Sequence, residues 1–217
     1  MFQTGGYMEK LNTIMEWIMR FFVLQLIWIV FCLVGLVIGG IFPATFTMFA
    51  ICRKWLNKQT EFPIFRTFWD MYRKGFLKTN LLGWVITLTG LSLYYYFQLF
   101  KGSEGMIDLV LLIAVWIAAI LYLMTVLLII PVYVHFDIKL INVIKYALII
   151  AISNPFHCLS MAALIMGFCM VIILIPGLFP FFSFSVLAFG LMWMAKLAFT
   201  RMEQKVLKLE KINNSLV

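Results

Sequence analysis

The sequence predicts an all-α fold: a polytopic transmembrane helical bundle with about five spans plus interfacial amphipathic helices. Three observations predict it. Hydrophobic residues make up 65% of the 217 residues and charged residues only 12%, about half the charged share of a soluble domain. Mean hydropathy is +1.05. The apolar residues fall in continuous runs rather than alternating, which suits helices and not a membrane β-barrel. A soluble fold of this length has too little interior for so much apolar surface. Residues 1–217 therefore read as a single integral membrane domain.

A bilayer core of about 30 Å needs about 20 apolar residues as helix. The runs 21–42, 81–100, 107–134, 156–175 and 181–199 supply that length. The first follows Glu9, Lys10, Glu16 and Arg20, is too long for a signal peptide, and has no small-x-small cleavage site after it. It reads as a retained span. A Gly39-Gly40-x-x-Pro43 break interrupts the apolar stretch that runs on to Cys52. One span and a re-entrant hairpin over 21–52 both fit that break. Residues 53–80 form a loop rich in cations and aromatics. The third run exceeds the bilayer thickness, which implies tilt or a protruding end. Ile138 to Ser153 carries Lys139, Asn142 and Lys145 within a short apolar stretch, and Asn154-Pro155 opposes its continuation. It reads as an interfacial helix, with a kinked fourth span as the alternative. The basic tail 200–217, with Arg201, Lys205, Lys208 and Lys211, extends the last helix.

The net charge is +8, and the cations sit beside the apolar runs. The partner this implies is a lipid bilayer with anionic headgroups, not nucleic acid. With five spans and the N-terminus outside, fourteen of the seventeen Lys and Arg residues face the cytoplasm. The opposite orientation reverses that ratio, so the expectation is a multi-pass cell-membrane protein with an outer N-terminus and a cytoplasmic C-terminus. A re-entrant hairpin at 21–52 would bring the N-terminus inside and leave the rest unchanged.

Within the spans, Gly35-Leu-Val-Ile-Gly39 is a small-x-x-x-small pattern that favours close helix packing. Gln25 is an amide in an apolar run and predicts an interhelical hydrogen bond. Asp108 and Lys196 lie near span ends, where Lys196 can snorkel to the headgroups. Tyr94-Tyr95-Tyr96-Phe97 closes the second run as an interfacial belt. Gly40-Ile-Phe-Pro43 recurs as Gly177-Leu-Phe-Pro180, a match short enough to arise by coincidence. Cys32, Cys52, Cys158 and Cys169 have no C-x-x-C spacing and read as small apolar residues.

The 53–80 loop contains a helical stripe. Phe62, Phe65, Trp69, Tyr72 and Phe76 recur at spacings of three and four, with Arg66 and Arg73 at its border. Asp70 stands at pairing distance in sequence from Arg66, Arg73 and Lys74. Pro63 suits a first helical turn. Such a helix can lie on the inner leaflet, pack under the bundle, or dock into the groove of a membrane-protein partner.

No motif nominates an enzyme, a cofactor or a metal. The two histidines are His135 and His157. His135 and Asp137 are two residues apart, a spacing at which helical side chains do not face each other, and a zinc site needs three or four ligands. No nucleotide-binding glycine loop, G-x-S-x-G or H-E-x-x-H occurs. Span centres lack the ionisable groups that coupled transporters use. A small transporter or channel in its own right would need a polar cavity built from Gln25, Thr45, Thr87, Thr89, Ser92 and Thr125.

Gly39-Gly40-Ile-Phe-Pro-Ala-Thr-Phe-Thr-Met-Phe-Ala-Ile-Cys-Arg-Lys-Trp-Leu, followed by Phe65-Arg-Thr-Phe-Trp-Asp-Met-Tyr-Arg-Lys-Gly-Phe-Leu-Lys-Thr-Asn80, resembles the YesL-like family of bacterial membrane proteins. The matching positions are Pro43, Thr45, Arg53, Trp55, Phe65, Phe68, Trp69, Tyr72, Phe76 and Asn80. The resemblance implies a cell-membrane protein, mostly of Gram-positive bacteria, encoded near carbohydrate uptake and sensing systems. It implies no established activity and no catalytic residues. An accessory component that contacts a sugar uptake or sensing system through the aromatic-basic stripe is the function expected.

Overall fold

The computed structural model describes residues 5–102, 105–136 and 138–215, with side chains from 8 to 201 except at 103, 104, 137 and 178. Its elements are α1 (Gly5–Val34), α2 (Ile41–Leu56), α3 (Ile64–Phe100), α4 (Met106–His135), α5 (Leu140–Ser153), α6 (Pro155–Leu174), a 3-10 turn (Pro176–Leu178) and α7 (Phe179–Ser215). Among the described residues, all regular structure is helical. Met8–Val34, Ile64–Phe100, Met106–His135, Pro155–Leu174 and Phe179–Arg201 are each long and apolar enough to cross a bilayer. Lipid offers no hydrogen bonds to a backbone, so an apolar chain must satisfy its own amides as helix. The molecule is an all-α, multi-pass membrane protein.

The first apolar run divides. Helix α1 ends at Val34 rather than at Phe42, because Leu36 and Val37 take left-handed backbone angles, φ 55° and 62°. The chain folds back so tightly that a Cβ on Gly40 would lie 2.5 Å from the Cys32 carbonyl oxygen. Only glycine admits that approach. Gly35 admits a close approach of the same kind: a Cβ there would overlap the Gly40 Cα and lie 2.6 Å from the Tyr72 hydroxyl, so the glycine pattern serves both this turn and its packing against Tyr72. Helix α2 then runs back along α1. Trp17 and Phe21 of α1 meet Trp55, in the last turn of α2, edge to face at 5.8 and 5.6 Å. Residues 21–52 thus form an antiparallel hairpin of two helices. Helix α2 is the pillar of the core and buries nine residues, including Phe46, Met48, Ile51 and Trp55.

The 53–80 segment is not a loop. It comprises the last turn of α2, a short connection, and the stem of α3. The aromatic stripe from Phe65 onward and the second span form one helix of 37 residues, about 55 Å long at 1.5 Å per residue. Phe62 precedes it, under the Lys54 ammonium at 5.0 Å, and Pro63 stands at its N-cap, outside the first turn. Nothing between Phe76 and Leu81 breaks helix, and the Thr79 hydroxyl donates to the Gly75 carbonyl. Beyond its stem, α3 pairs antiparallel with α4. The Tyr122 hydroxyl donates to the Ile86 carbonyl at 2.9 Å, and Phe97 meets Trp116 at 5.4 Å. Between residues 84 and 124 no described residue is buried. Such a two-helix arm gains nothing by burying leucine from lipid, which is as apolar as leucine itself.

Helix α5 packs along α4 through Val143, Ala147, Ile150 and Ala151. Asn154 leaves helical geometry at φ −136°, and Pro155 opens α6. The 138–153 segment is therefore a separate short helix and not part of a kinked span. Helix α7 returns antiparallel to α1, with Trp28 stacked on Phe184 at 4.4 Å and Phe21 against Phe189 at 5.3 Å. Gln25, 1% exposed, accepts hydrogen bonds from the backbone N–H groups of Phe184 and Ser185 at 3.1 and 3.0 Å. This is the interhelical bond expected of it. The two Gly-x-Phe-Pro segments each lead into a helix, α2 and α7.

Candidate functional site

The C-termini of α2 and α4 lie at one end of the molecule, and a cation caps each. A helix leaves its last carbonyls unpaired and carries partial negative charge there. The Arg53 guanidinium, from the last turn of α2, donates to the Val134 carbonyl near the end of α4. Lys196 of α7 donates to the Leu56 carbonyl at 3.0 Å and to Asn57 Oδ1 at 2.7 Å. Lys196 therefore ties α7 to α2 instead of reaching headgroups.

Between these elements lies a cleft of about 1020 Å³, bounded by the end of α2, the stem of α3, the end of α4 and the start of α5. Arg53, Lys54, Lys74, Lys78 and Lys139 line it. No carboxylate is among its described lining residues; Asp137 lies outside the described residues. The Arg53 Nε is buried without a hydrogen-bond partner. Among the described residues the one ion pair is Arg20 with Glu16, 3.6 Å. The expected pairing of Asp70 with Arg66, Arg73 or Lys74 does not form, and among the described residues no carboxylate forms an ion pair with the cations of the α3 stem.

The residues of the family pattern mostly build the fold. Pro43 is buried in the first turn of α2. Thr45 accepts from Trp28 Nε1 at 3.2 Å and donates to the Ile41 carbonyl. Trp55 and Phe68 are buried. The Tyr72 hydroxyl donates to the Phe31 carbonyl at 3.2 Å, and Asn80 Nδ2 donates to the Gly39 carbonyl at 2.9 Å. Together they clamp the α1–α2 turn onto the α3 stem. Phe31 is the hub, with its ring within 6 Å of Phe65, Phe68, Trp69 and Tyr72; Phe76 continues the cluster, its ring tilted against Tyr72 at 5.5 Å. One edge of the stripe is thus core. The other stays open, with Phe65 62% and Trp69 42% exposed.

The residues of a transport cavity are not brought together. Thr45, Thr87, Thr89 and Thr125 each donate to the carbonyl four residues back on their own helix. Gln25 is spent on α7, and Ser92 is exposed on the α3–α4 arm. The His135 ring packs against Phe136 and Phe199 at 4.7 and 4.8 Å. Among the described residues no three metal-ligating side chains stand together. Sequence reasoning missed the cleft, because Lys139 is more than fifty residues from the other cations. The excess of cations over carboxylates in 53–80 was its only local signal.

Residues 21–97 match a family described as protein of unknown function, DUF624. This range contains α2, the α3 stem and Phe31, the clamped unit described above. Over 199 residues the chain is 33% identical to the uncharacterised protein YteU of Bacillus subtilis, covering 92% of this chain and 89% of that one. The uncharacterised YesL of the same organism is 32% identical over 196 residues, 90% of this chain and 92% of that one. YesV, also uncharacterised, is 32% identical over 180 residues, 82% and 85% of the two chains. No solved structure matches the chain. With relatives aligned along nearly its whole length and the family pattern at its structural hub, the chain belongs to the YesL-like, DUF624 family of membrane proteins.

Proposed function

We propose that this protein is an accessory component of the bacterial cell membrane, which contacts a membrane protein of a carbohydrate uptake or sensing system through the open edge of the α3 stem. The observation that carries this reading is the split of the aromatic stripe. Phe68 and Tyr72 are buried against Phe31, while Phe65 and Trp69 remain exposed beside Arg66, Asp70 and Arg73. A rigid aromatic strip with a basic rim is the kind of surface that anchors an interface. The carbohydrate setting follows the resemblance to the YesL-like family. Both chain ends are cytoplasmic in this reading. The antiparallel return of α2 along α1 supports an inner N-terminus, the hairpin alternative, over the outer one expected from five spans.

The test is crosslinking in native membranes from cells grown on the inducing sugar, comparing the parent with Phe65→Ala/Trp69→Ala. Both rings also touch Phe31, so the melting temperature of the double variant is measured alongside, to separate a lost contact from a lost fold. A crosslinked permease or sensor subunit, identified by mass spectrometry and lost in the variant, is the expected result. Absence of any such subunit from the parent overturns the reading.

A further inference from the structure

We propose that the cleft between α2, the α3 stem and the α4–α5 turn binds a phosphoryl group. The site does not rest on the partner contact above, which uses a different edge of α3. Charge is the first argument. Lys74, Lys78 and Lys139 line the cleft with no ion pair or hydrogen bond among the described residues, and Arg53 adds a fixed guanidinium. Cations that line one cleft repel one another, and an anion bound between them relieves that repulsion.

The backbone is the second argument. The cleft reaches Lys139 and Leu140, where α5 begins. No described side chain caps this 14-residue helix at its start. Its first N–H groups carry partial positive charge and favour an anion. Arg53 is the third. Its Nη1 is held by Val134, while its buried Nε lacks an acceptor. The Val134 carbonyl holds the guanidinium at the cleft wall, so its positive charge is fixed in place for an anion.

Several donors converging from a guanidinium, lysines and a helix N-terminus match the three or more acceptor oxygens of a phosphoryl group better than one carboxylate. The volume, about 1020 Å³, leaves room for what the phosphoryl group is attached to. The group can belong to a soluble phosphate ester or to a phospholipid headgroup, since both present the same chemistry at the cytoplasmic surface.

The full-length protein in phosphatidylcholine nanodiscs separates the two sources. Inorganic phosphate and glycerol phosphate are titrated by calorimetry. In parallel, nanodiscs containing phosphatidylglycerol are delipidated, and retained lipid is counted by native mass spectrometry. Each arm compares the parent with Lys74→Gln/Lys78→Gln/Lys139→Gln and with a charge-matched control outside the cleft, Lys58→Gln/Arg66→Gln/Arg73→Gln. Saturable binding of the soluble probes, weakened at least tenfold by the cleft variant and unchanged in the control, supports a soluble ester. Retained phosphatidylglycerol lost in the cleft variant alone supports a headgroup. If the triple variant unfolds, Lys74→Gln and Lys139→Gln, on different elements, must each weaken binding severalfold. No saturable ligand in either arm, or equal loss in the control, overturns the proposal.

Discussion

Lys58 holds a backbone conformation that its side chain opposes. Its φ is 63°, and it stands just past the end of α2. The Lys58 N–H donates to the Trp55 carbonyl at 2.9 Å and the Gln59 N–H to the Lys54 carbonyl at 3.0 Å. This pair of bonds closes a helix with a left-handed residue, a place where glycine is preferred. Lys58→Gly should therefore raise stability by about 0.5–1 kcal/mol, read as a higher melting temperature in detergent. Gln25 argues the opposite way. Gln25→Ala strips an acceptor from two backbone N–H groups and leaves a void, which should cost about 1–3 kcal/mol, read on the same thermal assay. A melting temperature unchanged by Gln25→Ala would show that the α1–α7 contact does not depend on this amide. Gln25 was legible in the sequence as a buried hydrogen-bonder, because an amide in an apolar run has few other fates. Its partners were not, because backbone donors on α7 carry no residue signature and lie about 160 positions away.

At the scale of elements, the five apolar runs were legible because transfer from water to lipid depends on composition alone. The joints between elements were not. A charged stretch next to an apolar one looks like a loop followed by a span, yet the helical backbone is indifferent to that change of polarity. Arg66, Arg73, Lys74 and Lys78 therefore sit on the same helix as Leu81 to Phe100. Helix α2 was hidden for the converse reason: its residues are as apolar as the span before them, and only Gly39-Gly40 marks the reversal. The continuity of α3 has a direct measurement. Spin labels at Arg66 and Leu88 stand 22 residues apart on one helix and should give a narrow distance distribution centred at about 33 Å. Leu77→Pro, at an exposed position ahead of Asn80, should broaden that distribution and lower stability by about 3 kcal/mol. A broad distribution in the parent would mean that the stem is hinged to its span. The clamp of Tyr72 and Asn80 on the α1–α2 turn would then not hold in the membrane.

For the whole molecule, the α1–α2 hairpin changes the meaning of the charge count. A five-span reading with an outer N-terminus leaves Lys10, Arg20 and Lys101 on the far side. When α2 returns along α1, Lys10 and Arg20 join the end where Arg53, Lys196 and the α4 C-terminus meet. Sixteen of the seventeen Lys and Arg residues then share one side, and Lys101 stands alone on the other. This is the stronger positive-inside asymmetry, and under the proposed orientation the cationic cleft faces the cytoplasm. Membrane-impermeant maleimide can test it in a Cys169→Ser background, because Cys32, Cys52 and Cys158 are buried and only Cys169 is exposed. Single cysteines at Met8, Lys58 and Arg201 should label together in inside-out vesicles and stay silent in intact cells. A cysteine at Lys101 should do the reverse. If Met8 instead labels with Lys101, α1 crosses alone and the outer N-terminus is restored. The contact of Trp17 with Trp55 would then have to break in the bilayer, and the cleft would lose the wall that α2 supplies.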